Sequence, residues 1–246
     1  MSTSAKVTAR QRIENLLDDN SFVEIGAYVK ARNTDFNIQA KDTPSDGVIT
    51  GYGVINGGLV YVYSQDASVL GGSVGEMHAK KIASLYDMAM KTGSPVIGLI
   101  DSTGLRLQES VDGLNAFGQI YMKQSLASGV IPTITAIFGN CGGGLSIVAG
   151  LSDFTFMEVE NAQLFVNSPN AITENRKEIC DNASAKFQSE EAGNVDFVGT
   201  EAEVIEGIRN LVSVLPSNNE DEASDLECYD DLNRAAEGIE NCGEDT

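Results

Sequence analysis

Side chains that usually carry proton transfer and metal chemistry are scarce in this sequence. There is one histidine, His78, so no Ser–His–Asp arrangement can be assembled around it with any conviction. The four cysteines, Cys141, Cys180, Cys228 and Cys242, are widely spaced and form no C-x-x-C pair. That spacing excludes a zinc ribbon and argues against a disulfide framework, and no metal site is expected. Cations are also few: 16 Lys and Arg stand against 36 Asp and Glu, a formal net charge of −20. Nucleic-acid binding is excluded on that ground, because phosphates are neutralised by clustered Lys and Arg. No apolar run reaches the roughly 18 residues that span a bilayer. The first residues, Met1 to Lys6, lack the hydrophobic stretch of a secretory signal. The expectation is a cytoplasmic protein with no direct membrane insertion.

What is abundant is hydrophobic residues, at 42%, and glycine, at 25 of 246 residues. This suits one globular α/β domain with many loops. Residues 217–246 hold 11 acids and one base, Arg234, and read as an acidic, linker-like tail behind a domain of residues 1–216. Helical spacing of apolar residues predicts a first helix from Lys6 to Leu17, whereas residues 22–46 read as loop. Gly47 to Ser64 reads as a β-hairpin with a glycine-rich turn, followed by a helix from Gly75 to Thr92 closed by Gly93. Buried strands are predicted at Pro95–Asp101 and Thr133–Phe138, with a helix from Gly113 to Ala127 between them. A small-residue helix (Leu145 to Leu151), strands at 154–158 and 163–167, and a helix from Ala202 to Leu215 complete the domain. A further short helix is conceivable around 231–239. Strand–helix alternation of this kind implies parallel pairing.

Two glycine loops follow the two buried strands. One is Asp101-Ser102-Thr103-Gly104-Leu105-Arg106 and the other is Gly139-Asn140-Cys141-Gly142-Gly143-Gly144. Glycine lets a ligand approach the backbone closely, and N–H groups at the start of a helix are anion donors. Two such loops facing each other form an oxyanion hole; the bland alternative is that the glycines only allow tight helix–sheet packing. Side chains near them read as structural: His78 as a helix residue, Arg106 and Glu109 as a loop-bracing pair three residues apart. Cys141 is either a thiolate at a helix N-terminus or a small buried packing residue. A site rich in backbone donors and poor in acids and bases suits chemistry whose nucleophile is an enolate.

At these residues the chain resembles the N-terminal half of the carboxyltransferase subunit of biotin-dependent acyl-CoA carboxylases, the propionyl-CoA carboxylase β family. The likeness runs from Ala9-Arg10-Gln11-Arg12-Ile13 through Asp46-Gly47-Val48-Ile49-Thr50-Gly51-Tyr52-Gly53 to Leu215-Pro216-Ser217-Asn218-Asn219. Gly71-Gly72-Ser73-Val74-Gly75-Glu76-Met77-His78-Ala79-Lys80-Lys81 is its most specific stretch. The resemblance implies a crotonase-like α/β fold of repeated ββα units and an acyl-CoA substrate whose enolate oxygen is held on backbone N–H groups. The family's D-S-G-G-A-R and G-P-C-A-G-G loops correspond here to 101–106 and 139–144, which gives Gly104, Leu105, Gly143 and Gly144 the catalytic positions. The donors would be the N–H of Leu105 and that of Gly143 or Gly144. Gly71, Gly72, Lys80, Lys81, Arg106, Cys141 and Gly142 are expected to line the ligand site, with Lys30 and Arg32 as further cations for the CoA phosphates.

This chain departs from the pattern at Thr103, Leu105 and Ser110, where the family usually has Gly, Ala and Gly. The family also implies carboxybiotin on a separate carrier protein, a biotin carboxylase, and a second carboxyltransferase half that binds biotin. That half is expected from a separate subunit in a homo- or hetero-oligomer, unless the chain is a fragment. A biotin-dependent decarboxylase of glutaconyl-CoA or methylmalonyl-CoA type is the alternative. A stand-alone hydratase using Glu109, or a non-catalytic assembly subunit, are further readings.

Overall fold

The computed structural model describes residues 7–33, 42–168, 181–221, 229–231 and 233–235. An eight-stranded sheet runs in the order β1-β2-β3-β4-β5-β6-β8, with β7 also pairing β5. The strands are β1 (Val23–Ile25), β2 (Val48–Ile55), β3 (Gly58–Gln65), β4 (Val96–Ser102), β5 (Thr133–Gly142), β6 (Phe154–Glu158), β7 (Gln163–Phe165) and β8 (Phe197–Gly199). The first three are antiparallel and every pairing after β3 is parallel. The expected α/β alternation is therefore present.

Local chemistry accounts for most boundaries. The β2–β3 hairpin turns at Asn56 and Gly57, with φ of 49° and 87°, the positive pair that a two-residue hairpin turn requires. Helix α1 (Ala9–Leu16) opens with a capping box between Thr8 and Gln11, and the last helix, α6 (Glu201–Val214), with one between Thr200 and Glu203. Helix α2 (Glu76–Thr92) ends at Gly93, whose left-handed backbone closes it as expected. Helices α3 (Ser110–Ala127), α4 (Gly144–Gly150) and α5 (Ala185–Glu190) complete the set.

The sheet is covered on both faces. Ile82, Leu85, Ala116, Ile120 and Val148 of α2, α3 and α4 pack into one core, and Ile13, Leu16, Val204 and Ile208 of α1 and α6 into the other. All seven residues of β4 are buried, as a strand sandwiched between two helical layers must be.

Four elements differ from the sequence reading. β1, placed in the expected loop 22–46, is three residues long and is held by pairing to Thr50–Tyr52. β8 is equally short and α5 has six residues. β5 continues through Gly142, past its expected end at Phe138, because its last three residues pair with β7. Beyond Pro216 the chain stays attached: the Asn218 side chain donates to the Gly93 carbonyl at 3.0 Å and the Asn219 N–H to the Val130 carbonyl at 2.9 Å. The helix envisaged at 231–239 falls largely outside the described residues. No described helix is long and apolar enough to cross a membrane.

Ser110 stands at φ 49°, ψ −121°, a region that strains any residue with a β-carbon. Glycine is the residue expected there from the family pattern, and this backbone accounts for that expectation. Ser110→Gly is expected to raise unfolding stability by about 1 kcal/mol, the relief of strain exceeding the added entropy of the unfolded chain. Urea denaturation of the two proteins checks this.

Candidate functional site: two glycine loops at the sheet edge

β4 and β5 run in parallel from Val96–Thr133 to Ile100–Ile137, then bulge so that Ser102 lies beside Cys141. Both strands therefore release their loops at the same edge of the sheet, where ligand crevices form in open parallel sheets. A β-carbon on Gly104 would sit 3.3 Å from the Gly142 carbonyl oxygen, so the two loops lie against each other.

The first loop is stitched to Gly71–Val74. Thr103 N–H donates to the Gly71 carbonyl at 2.9 Å, Val74 N–H to that of Gly104 at 2.8 Å, and Arg106 N–H to that of Val74 at 2.9 Å. Ser102 Oγ donates to the Gly72 carbonyl at 2.6 Å and accepts the Gly104 N–H at 3.1 Å. Gly104 thus spends its N–H inside the loop. In the parallel bridge between Val74 and Leu105 the Leu105 N–H points away from Val74, out of the stitch. The Leu105 side chain leans on α3: a β-carbon on Gly113 would lie 2.9 Å from its Cδ1. Gly113 makes room for the larger residue.

The second loop sorts its three glycines. A β-carbon on Gly142 would fall 2.5 Å from the Phe165 ring, and one on Gly144 would fall 2.7 Å from the Tyr121 hydroxyl, which donates to the Gly144 carbonyl. Packing demands those two. Gly143 has open space where a side chain would go, and its φ of 59° and ψ of −125° demand glycine instead. Its N–H donates to the Phe165 carbonyl at 3.0 Å. Gly144 is the first residue of α4, a position whose N–H has no acceptor within its own helix. The N–H groups of Leu105 and Gly144 are thus candidates, one in each loop, for contact with a ligand.

The titratable residues nearby are committed to structure. Arg106 is 1% exposed, and its Nη1 reaches Asp46 Oδ1 at 2.6 Å and Glu109 Oε1 at 2.9 Å. The other oxygen of Glu109 accepts the Glu76 N–H at 2.6 Å, so neither oxygen is left to activate a water molecule. Burial pushes the Asp46 carboxyl up, and Arg106 opposes that shift. His78 is fully buried, with Nδ1 3.0 Å from the Asp46 carbonyl and Nε2 3.1 Å from Gln65 Nε2. Burial, with Arg106 nearby, lowers its pKa to about 3. Lys81 is buried with Nζ on the carbonyls of Ser45, at 2.9 Å, and Val48, and burial lowers its pKa to about 8. Cys141 is fully buried and its thiol is pushed up to about 12. It is a packing residue and not a thiolate, since low dielectric disfavours the charged form.

The expectation that Arg106, Lys81 and Cys141 face the ligand therefore meets a different geometry: each is enclosed and used internally. Gly71 and Gly72 touch the site through the stitch. Lys80 is at the surface, paired with Glu76 at 2.6 Å, and Lys30 with Asp42 at 2.8 Å. Arg32 bridges Glu76 and Asp112. Among the described residues, no cluster of His, Cys, Asp and Glu could hold a metal ion. Sequence reasoning missed Asp46, Ser73, Phe165 and Tyr121 as neighbours of the loops. Their partners lie 60, 33, 22 and 23 residues away, and local pattern carries no signal at that range.

The chain matches the family model described as the carboxyl transferase domain over residues 2–245. It is 44% identical over 234 residues to the methylmalonyl-CoA decarboxylase subunit alpha of Propionigenium modestum, across 94% of this chain and 45% of that protein. To the propionyl-CoA carboxylase beta chain of Roseobacter denitrificans it is 41% identical over 233 residues, across 93% of this chain and 46% of the other. Transcarboxylase 12S, solved as a hexamer with methylmalonyl-CoA bound, superposes with a TM-score of 0.84 at 38% identity, over 89% of this chain and 44% of that one. The crotonase-like α/β fold stands with these relatives. The chain spans about half the length of the curated relatives it matches.

Two outcomes follow from this geometry. Gly143→Ala is expected to cost about 1–3 kcal/mol of stability, whereas Gly118→Ala, equally open in space but within helix α3, is neutral or stabilising; thermal melts of both separate backbone strain from crowding. Because the unfolded His78 binds a proton near pH 6.5 and the folded one only near pH 3, the part of the stability that depends on His78 is complete above about pH 6.5 and falls by up to about 1.4 kcal/mol per pH unit on acidification toward pH 3. His78→Gln should flatten that slope in denaturation curves between pH 7 and 4.

Proposed function

Because the chain belongs to the carboxyl transferase domain family, we propose that it forms the acyl-CoA half of a biotin-dependent carboxyltransferase and holds the thioester enolate on the N–H groups of Leu105 and Gly144. The observation that carries this reading is the pattern of spent and unspent donors. Gly104 and Gly143 give their N–H groups to Ser102 and Phe165, and the N–H groups of Leu105 and Gly144 would be the ones that meet a ligand between the loops. Oxyanion donors of this kind contribute about 3–4 kcal/mol each to a developing negative charge. The absence of an available acid or base among Glu109, His78 and Cys141 fits a reaction in which the thioester's α-proton would pass to the biotin ureido group and the resulting enolate would attack the carbon dioxide released from carboxybiotin. It weighs against the hydratase reading, which needs Glu109 free.

Carboxybiotin on a separate carrier protein, charged by a biotin carboxylase, would supply the carboxyl group. This chain's part is to bind the thioester, polarise its carbonyl through Leu105 and Gly144, and keep the loop rigid while charge develops. Gly71 and Gly72 contribute by fixing the first loop. Lys80, at the surface near the start of α2, remains the cation proposed to meet the CoA phosphates.

The biotin-binding half would come from a partner. Support comes from an exposed apolar stripe on helix α3. Leu107, just before it, is 77% exposed, Val111 71% and Leu114 61%, and Met122 and Leu126 continue the stripe. Exposed apolar patches of this kind mark surfaces that a partner covers. Carriage in an oligomer in the cytoplasm, with residues 1–216 as the working domain and 217–246 as an acidic tail, completes the proposal.

A second reading, in which the same half-reaction runs toward decarboxylation, is favoured by the 44% identity to a methylmalonyl-CoA decarboxylase subunit. Calorimetric titration of the chain with acetyl-, propionyl-, methylmalonyl- and glutaconyl-CoA tests the common core. Binding of a thioester and not of biotin is expected. Biotin binding without thioester binding would overturn the assignment, and preference for the dicarboxylic thioesters would favour the decarboxylase reading.

A further inference from the structure

We infer that Asp46, Arg106 and Glu109 act together as positioning residues that aim the Leu105 N–H at the thioester oxygen, an inference that rests on the reading of that site given above. Arg106 follows Leu105 directly, and its side chain has no freedom. Nε meets Ser73 Oγ at 3.2 Å, Nη2 meets the Ser73 carbonyl at 2.7 Å and the Asp46 carbonyl at 3.4 Å, and Nη1 meets both carboxylates. Swinging the guanidinium out of this cage would leave buried carboxylates without their cation, which is strongly unfavourable.

The carboxylates are fixed in turn by one rigid element. Asp46 Oδ2 accepts the His78 N–H at 2.8 Å and Glu109 Oε2 accepts the Glu76 N–H at 2.6 Å. Both N–H groups belong to the first turn of α2, whose N-cap is Gly75 and makes no side-chain cap. Carboxylates brought from elsewhere in the chain thus satisfy the start of α2 and hold Arg106 against it. The loop is referenced to a 17-residue helix instead of to solvent.

Asp46 reaches this place only through strained backbone. Ser45, Asp46 and Gly47 have φ of 53°, 49° and 71°, an uncommon left-handed run that persists where the surroundings over-determine it. Buried ion networks are weak sources of net stability compared with apolar packing, but they are strict about direction. One residue away from an outward N–H, direction is what matters: an ångström of misplacement costs about 100-fold in rate.

The test reads the carbonyl itself. Difference infrared spectra of propionyl-CoA labelled with carbon-13 at the thioester carbonyl are recorded on the full chain, wild type and Arg106→Lys, Glu109→Gln and Ser73→Ala, beside affinity and melting temperature. The wild type is expected to lower the stretching frequency of the bound thioester. Arg106→Lys and Glu109→Gln should return it toward the free value while affinity changes by less than about 3-fold, and turnover with the partner half present should fall about 100-fold through kcat. Variants that melt earlier but keep the wild-type frequency would overturn the positioning role and leave a purely structural one. Should Arg106→Lys fail to fold, Ser73→Ala, which removes one acceptor and no charge, decides the same question. A wild-type chain that binds the thioester without lowering its frequency would instead remove the oxyanion reading of the site, and this inference with it.

Discussion

Parallel hydrogen bonding between β4 and β5 brings two chain exits to one edge of the sheet, and the rest of the molecule is arranged around that meeting. Parallel strands need a long crossover between them, and α3 supplies it, returning the chain from the first loop to the start of β5. The bulge after Ile100 then shifts the register so that Ser102 and Cys141 are neighbours and Gly104 comes under the Gly142 carbonyl. Each loop is closed by a different acceptor: Ser102 Oγ takes one N–H of the first, and the Phe165 carbonyl of β7 takes one of the second. β7 is therefore more than an extra strand. By pairing with the end of β5 it takes up the N–H of Gly143, the middle one of three consecutive glycines.

Much of this frame can be read from local pattern. Asn56-Gly57 announces a hairpin, Gly93 stops α2, and apolar runs mark β4 and β5 as buried strands. The two glycine loops stand out because each sits between a buried strand and a helix. What local pattern does not carry is occupancy. Glycine at 143 and glycine at 144 look alike in sequence, yet one is required by its φ and the other by the Tyr121 hydroxyl and the Phe117 ring. Arg106 and Asp46 are 60 residues apart, and no periodicity links them. Short elements such as β1, α5 and β8 are equally silent, since three to six residues carry too little period to be heard and depend on tertiary partners.

The distribution of charge follows the same logic. Around the loops, ionisable groups are turned inward and paired, so the site is surrounded by fixed dipoles and a locked ion network. His78 and Cys141 are held neutral by burial, and Glu109 serves a helix and an arginine. Under the proposed reading, proton transfer would be left to whatever is bound, and the protein would contribute shape and electrostatic direction. Lys81 extends the pattern: a cation in the same motif as His78, it is spent on the carbonyls of Ser45 and Val48 at the strained entry to β2.

Helix α3 touches both halves of this picture. Tyr121 reaches from it to the Gly144 carbonyl, Phe117 packs beside the same glycine and Gly113 lies beneath Leu105, while Val111, Leu114, Met122 and Leu126 face outward from the same rod. A rigid rod that bears on a site along one side and presents a greasy flank along the other transmits load between them. One helix diameter separates that exposed apolar flank from both glycine loops, so the two sides of α3 share a single rigid body.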